Sequence, residues 1–280
     1  MLKIFTDFKS KLSEGPLYDE MNNRTLYVDI PASTFHIVDG RTGEDTLVQL
    51  ESPVGFLALT PDGRILAGLK DGIYYVTEAG ECTLAHKPME IKGGRFNDGK
   101  AGPDGAIYAG TIGEEEACAF YRLSHAGELR ELFDGVTISN GLDWSPDNKT
   151  MYYIDTPKRI VEAFDFDIKT GSLNNRRTVL EVQTEGNPDG MCTDDEGNLW
   201  VSMWGGNCVA KYSAGGELLG TIPVPAKATA CCAFATANRN RMVIASCTSP
   251  DELDEPDSGK MFYIDLDVTG RKPFLYMPSK

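Results

Sequence analysis

The segment Ile138–Asp155, ISNGLDWSPDNKTMYYID, sets two short β-rich runs on either side of a polar turn. The Pro, Asp and Asn of Ser145–Lys149 are turn formers, and Met151–Asp155 is rich in the aromatic and branched residues that favour strands. Two strands joined in this way read as a hairpin. The same plan returns along the chain as LYDEMNNRTLYVDI from Leu17, LALTPDGRILAGL from Leu57 and AGPDGAIYAGTI from Ala101. It appears again as MCTDDEGNLWVSM from Met191 and CAFATANRNRMVIASC from Cys232. The turns recur six times, about every 40 to 50 residues, and helical periodicity is almost absent.

That period suits a unit of four short strands, as in the blade of a propeller. The intervening STFHIVD, GIYYVTEAGECTLA, ACAFYRLSHAGELREL and VEAFDFDIKTGSL supply the outer strands and their turns. The expected fold is therefore all-β: a six-bladed β-propeller of four-stranded antiparallel blades, filling residues 1–280 as one domain. Such a ring must close to remove its exposed edges. The C-terminal KMFYIDLDV followed by KPFLYM is expected to form most of the last blade, and the opening KIFTDF to add its closing strand. The acidic run SPDELDEPDSG, residues 249–259, reads as an exposed loop whose spacing fits no EF-hand.

A polar position precedes the repeats. Ten to twelve residues before the first apolar residue of each second strand stand Glu14, Gly55, Asn97, Asn140, Asp189 and Cys231 or Cys232. Four of these carry side-chain oxygens, and equivalent positions in a propeller lie on one ring around its axis. If this position starts the innermost strand, Glu14, Asn97, Asn140 and Asp189 converge on the central channel. Two carboxylates and two amide oxygens make a hard donor set for Ca²⁺, Mg²⁺ or Mn²⁺. The bland alternative is that Asn and Asp merely begin strands and pair their turns; the shared register favours a site.

Composition narrows the function further. A net charge of −15 disfavours nucleic acid and anionic membranes as partners. No stretch is apolar and long enough to span a bilayer, and the N-terminal MLKIFTDFKSKLSEG lacks a signal-peptide core. Seven cysteines without a CxxC pair suit reduced thiols in a cytoplasm. His36, His86 and His125 lie far apart in sequence, against a serine–histidine triad or a histidine-bound zinc. Trp144 and Trp200 sit in strand patterns and read as core.

At these residues the chain resembles a known family, that of regucalcin (senescence marker protein), the gluconolactonases and luciferin-regenerating enzyme. The matching strings are Glu14-Gly-Pro, YVDI from Tyr27, RFNDGK from Arg95, GT from Gly110, ISNGLDWS from Ile138, YYID from Tyr152, AFDFD from Ala163, NRR from Asn175 and PDGMCTD from Pro188. The resemblance implies a six-bladed propeller and a metal-dependent hydrolase of sugar lactones. By the same resemblance Glu14, Asn140 and Asp189 ligate one divalent metal ion (Ca²⁺, Zn²⁺, Mn²⁺ or Mg²⁺), and Arg95 and Asn97 face the substrate. A further substrate-facing glutamate maps to Glu115 within the run Glu114–Glu116. Two departures stand out: Tyr18 replaces a tryptophan, and Ala230-Cys231-Cys232 replaces Ser/Thr-Cys-Cys. The paired cysteines read as buried apolar residues.

The implied reaction opens an aldonolactone, with the metal polarising the carbonyl and Asp189 serving as general base. Arg95 would hold substrate oxygens; its structural alternative is an ion pair with a channel carboxylate. Two rival readings are a phosphotriesterase-like hydrolase and a non-enzymatic calcium-binding propeller. Fold alone does not choose between them.

Overall fold

The computed structural model describes residues 1–87, 89–248 and 256–279. Among them the chain forms six four-stranded antiparallel sheets, the blades of a propeller. β1 is Lys3–Thr6. Blade 1 follows as β2 Ser13–Asp19, β3 Arg24–Asp29, β4 Thr34–Asp39 and β5 Asp45–Gln49, and blade 2 as β6 Phe56–Leu59, β7 Ile65–Gly68, β8 Ile73–Val76 and β9 Cys82–Leu84. Blade 3 holds β10 Arg95–Ala101, β11 Ile107–Ile112, β12 Cys118–Leu123 and β13 Leu129–Val136. Blade 4 holds β14 Ser139–Trp144, β15 Thr150–Asp155, β16 Ile160–Asp167 and β17 Ser172–Glu181. Blade 5 comprises β18 Asn187–Thr193, β19 Leu199–Trp204, β20 Cys208–Tyr212 and β21 Leu218–Pro223. Blade 6 takes β22 Thr229–Ala233, β23 Arg241–Ser246, β24 Met261–Asp265 and, as its outermost strand, β1.

The repeated hairpins are the two innermost strands of each blade. Their turns share a backbone plan: Gly63, Gly105, Asn148 and Gly197 all take positive φ at equivalent positions. In each, the residue three back accepts the N–H of that Gly or Asn. Asn and Gly are the residues that tolerate this conformation.

Strand alternation gives every blade two apolar faces. Leu26 and Val28 of β3 pack with Leu57, Leu59 and Ile65 of blade 2, whereas Tyr27 between them packs with Val243 and Met261 of blade 6. Six such clusters fill the six gaps between neighbouring blades. Each large side chain buried there contributes roughly 1.5–3 kcal/mol relative to exposure. An unclosed ring would leave two of these faces wet. Trp144 and Trp200 are both core residues, at 0% and 5% exposure.

Closure follows the expectation in one respect and departs from it in another. The opening KIFTDF does supply the closing strand: β1 pairs with β24, and Thr6 Oγ1 donates to Asp45 Oδ2 of blade 1 at 2.9 Å. KPFLYM, in contrast, is no part of the last blade. β1 already occupies the outer edge of β24, and Pro273 has no N–H to offer a ladder. The segment instead crosses beneath blades 2 and 3, where Tyr276 N–H donates to Leu59 O at 2.7 Å and Tyr276 Oη to Ser124 O at 2.9 Å. Most of the acidic run, residues 249–255, lies outside the described residues.

Candidate metal centre on the propeller axis

Five of the six innermost strands start with an irregularity of register. It falls between Glu14 and Leu17, Phe96 and Gly99, Ser139 and Leu142, Pro188 and Met191, and Thr229 and Cys231. A bulge re-aims the side chains it contains, and here it carries Asn97, Asn140 and Asp189 and begins at Glu14. The glycines that follow serve close approach of one strand to the next. A Cβ on Gly141 would stand 2.6 Å from the carbonyl oxygen of Asp189, and one on Gly190 would stand 2.5 Å from Cys231 Sγ. The Asn-Gly and Asp-Gly pairs are thus a polar group aimed inward and a gap through which the neighbouring strand fits.

The structure gathers five of the six sequence-derived site residues. Asn97 Nδ2 donates to Ser139 O at 2.8 Å and to Asn140 Oδ1 at 3.3 Å. Arg95 Nη1 donates to Phe96 O at 2.9 Å and Asn97 Oδ1 at 2.7 Å. Among the described residues Arg95 forms no ion pair within 4 Å, although the Glu14 carboxylate lies near enough to act on it; burial lowers the pKa of the guanidinium and Glu14 opposes that. The Asn140 amide lies next to the Asp189 carboxyl and the Cys231 thiol next to that of Glu14, each working to lower the pKa of its neighbour. The sixth residue stands apart. Glu115 is exposed in the turn after β11, above the Arg95–Ile112 pair, and its carboxylate has no partner among the described residues.

The electrostatics of this centre are unbalanced. Burial, with Asp189 and then Asp98 adding repulsion, pushes the Glu14 carboxyl well above its ordinary range. Burial and then Asp98 do the same to Asp189. Asp98 itself is raised by burial against the pull of Lys100. Lys100 sits beneath: burial opposes its charge, but Asp143 and Asp98 outweigh that and hold it protonated. Its Nζ donates to Met191 O at 2.8 Å and pairs with Asp143 Oδ2 at 3.7 Å, while Asp143 accepts from Thr193 N–H at 2.9 Å. Four carboxylates (Glu14, Asp98, Asp143, Asp189) face two cations (Arg95, Lys100), so two negative charges are unmatched. One divalent cation would balance them, and the donors are the oxygens such ions prefer.

Among the described residues no cluster of three or more His, Cys, Asp and Glu is placed to hold a metal. A centre here therefore draws on an amide oxygen, and the Asn140 side chain, whose Oδ1 accepts from Asn97, lies next to Asp189. The histidines are engaged elsewhere: His36 with Asp45, His86 with the Ile73 N–H, and His125 with the Asp104 carbonyl. Reading the sequence missed Asp98, Lys100 and Asp143, which stand in the strings RFNDGK and SNGLDWS. It also missed Thr156, whose hydroxyl bonds Asn140. A motif shows which residues occur together; it does not show which of them point inward past a bulge.

The fold and this centre define a class: a six-bladed propeller with a hard oxygen-donor cluster on its axis. The chain belongs to the SMP-30/gluconolactonase/LRE-like family, whose sequence pattern matches residues 12–248. It is 36% identical to regucalcin of Homo sapiens over 283 residues, 95% of each chain. It is 34% identical, again over 95% of each chain, to a Bacillus subtilis (strain 168) protein provisionally named sugar lactone lactonase YvrE. Among solved structures, a calcium-binding protein, regucalcin, from Agrobacterium tumefaciens superposes with a TM-score of 0.91 at 27% identity, covering 98% of this chain and 96% of that one.

Proposed function

We propose that this protein is a divalent-metal-dependent hydrolase that opens sugar lactones such as gluconolactone. The observation that carries the reading is the Glu14–Asp189 pair, half-buried and buried, next to the Asn140 amide, an arrangement of like charges that a cation would relieve, in a chain of the gluconolactonase family. Glu14, Asn140 and Asp189 would hold the ion, which when bound polarises a carbonyl and acidifies water.

The protein's own groups then divide the remaining work. Arg95 Nη1 is committed to Phe96 O and Asn97 Oδ1. Its other donors are left for substrate oxygens, and its planar fork suits paired contacts. The amide of Asn97, fixed between Arg95 and Asn140, presents a rigid polar wall to a sugar hydroxyl. Glu115 at the rim is assigned a second hydroxyl contact. Asp189 takes the proton from the attacking water as its oxygen bonds to the lactone carbonyl carbon. The ring C–O bond then breaks, and the departing alkoxide recovers the proton as the hydroxy acid forms. None of the seven cysteines is in a disulfide, which suits the reducing cytoplasm assigned to the chain.

The test is a panel of five- and six-membered aldonolactones, the deoxygenated valerolactone and a phosphotriester. It is run on chelator-treated protein and again with Ca²⁺, Zn²⁺, Mn²⁺ or Mg²⁺ restored. Sugar lactones should exceed valerolactone in kcat/KM by roughly two orders of magnitude, since buried polar groups left unpaired by the plain ring cost about 1–3 kcal/mol each. Arg95→Ala should shrink that gap by slowing the sugar lactones. Full activity after verified metal removal would overturn the metal dependence. Equal or faster turnover of the plain lactone or the phosphotriester would overturn the substrate class. Ion binding with no turnover would leave a calcium-binding propeller.

A further inference from the structure

Thr156 follows the last residue of β15 and opens the short 3₁₀ turn Thr156–Lys158. Its backbone is pinned, with its N–H donating to the carbonyl of Ile138 at 3.1 Å. Beside it, Asp155 Oδ1 accepts the N–H groups of Thr137 and Ile138 at 3.3 and 3.0 Å. The hydroxyl is thereby held next to the start of β14. Oγ1 accepts from Asn140 Nδ2 at 2.9 Å and donates to the carbonyl of Pro188, the residue before Asp189, at 2.8 Å.

This matters because an asparagine amide has two chemically different ends. Only Oδ1 can ligate a cation; the NH₂ end would repel one. A hydroxyl has a single hydrogen, and that of Thr156 is committed to Pro188. It can offer Asn140 only a lone pair, so the NH₂ must face Thr156 and Oδ1 is turned to the other side, where it accepts from Asn97 of the neighbouring blade. We infer that Thr156 is a positioning residue that fixes the Asn140 amide with its oxygen toward the channel and so sets the affinity for the divalent ion. The inference rests on the Glu14/Asn140/Asp189 ligand reading and deepens it.

Blade 1 supplies an internal comparison. There Asp29 accepts the N–H groups of Lys11 and Leu12 at 2.9 and 3.1 Å, and Ile30 N–H donates to the carbonyl of Leu12 at 3.1 Å. This is the same arrangement, residue for residue, as Asp155, Thr137, Ile138 and Thr156. The place of Thr156 is taken by Ile30, and the inward residue is Glu14, whose two carboxylate oxygens are equivalent and need no orienting. The turn therefore forms without a hydroxyl. The hydroxyl is present in blade 4, whose amide is the assigned ligand; in blade 3 Ile112 stands at that place and the Asn97 amide is oriented by Arg95 instead.

The experiment is calorimetric titration of Ca²⁺ and of Mn²⁺ into the full-length wild type, Thr156→Val and Thr156→Ser, with the thermal midpoint of each metal-free protein as a check on folding. Thr156→Val removes the hydroxyl at constant shape and should weaken binding roughly 10–100-fold, the usual range for a group that orients a ligand. Thr156→Ser keeps the hydroxyl and should stay within about threefold of wild type. In an Asn140→Asp background, where both ends of residue 140 are oxygens, the loss caused by Thr156→Val should be much smaller. Wild-type affinity in Thr156→Val, or equal weakening by Ser and Val, would overturn the inference. Should the valine variant fail to fold, Thr156→Ala carries the same expectation. A wild type that binds neither ion overturns the ligand reading and this inference together. A wild type that binds ion but opens no lactone overturns only the lactonase reading.

Discussion

In the proposed reaction Asp189 has two tasks, which a change at a single atom separates from folding. Its carboxylate is buried against Glu14 and Asp98 with the Asn140 amide next to it, and the proposed reaction needs its charge to hold the ion and its basicity to accept a proton. Asp189→Asn keeps the volume and can keep a bond to Asn140, while relieving repulsion. The variant should fold with a thermal midpoint at or above that of metal-free wild type, yet lose at least about a thousandfold in kcat/KM, the scale of a missing general base. Retention of activity within tenfold would remove Asp189 from both roles. The residue types were legible from sequence because inward oxygens recur at one repeat position. Lys100 and Asp143 were not, because a lysine and an aspartate 43 positions apart meet only when blades 3 and 4 stand side by side on the axis.

At the scale of the element, the bulged inner strand is the working part. Gly141 lies between Asn140 and Leu142 with the backbone of blade 5 against it. An added Cβ would meet Asp189 O at 2.6 Å and Met191 N at 2.7 Å. These atoms are backbone and cannot swing aside, so Gly141→Ala must push β14 and β18 apart. Overpacking of this kind costs about 1–3 kcal/mol, and here the same displacement separates Asn140 from Asp189. Denaturant unfolding and metal titration of the variant should therefore both show a loss; lowered stability with unchanged ion affinity would show that the two strands can separate without disturbing the centre. The hairpins themselves were readable from Pro, Asp, Asn and Gly in the turns. The bulges were not, because an inserted residue leaves no compositional mark and is visible only as a slip in pairing.

For the whole molecule, closure of the ring depends on contacts between its first and last blades. Asp45 at the start of β5 accepts from Thr6 of β1 at 2.9 Å, from Tyr27 Oη at 2.7 Å and from His36 Nδ1 at 2.9 Å. Burial raises its pKa, but the bonds from His36, Tyr27 and Thr6 outweigh this and hold the carboxyl below its ordinary value. A depressed carboxyl contributes stability that is complete above the unfolded-state pKa and is lost as pH falls through the folded-state value. Asp45→Asn should thus cost about 1–3 kcal/mol near neutrality. Its deficit relative to wild type should shrink as pH falls below about 4, the ordinary aspartyl value, and on through the lower folded-state value. Denaturation curves at several pH values read this directly, and a deficit that stays constant with pH would mean that the Asp45 charge plays no part in closure.

The sequence by itself determined the number of blades, the hairpin at the heart of each and the polar position that recurs at the start of the inner strand. Each of these is a local pattern repeated: turn chemistry, strand alternation and a fixed offset between them. Tertiary structure alone decided three other matters. It assigned the outer edge of blade 6 to β1 and sent KPFLYM beneath blades 2 and 3, because an edge can be paired only once. It placed Glu115 in an exposed turn, since a run of three glutamates carries no period to orient it. It brought Lys100, Asp143 and Thr156 to residues that bear the proposed chemistry. The Lys100–Asp143 pair and the Thr156–Pro188 bond join neighbouring blades, and no offset along one blade encodes what stands beside it in the next.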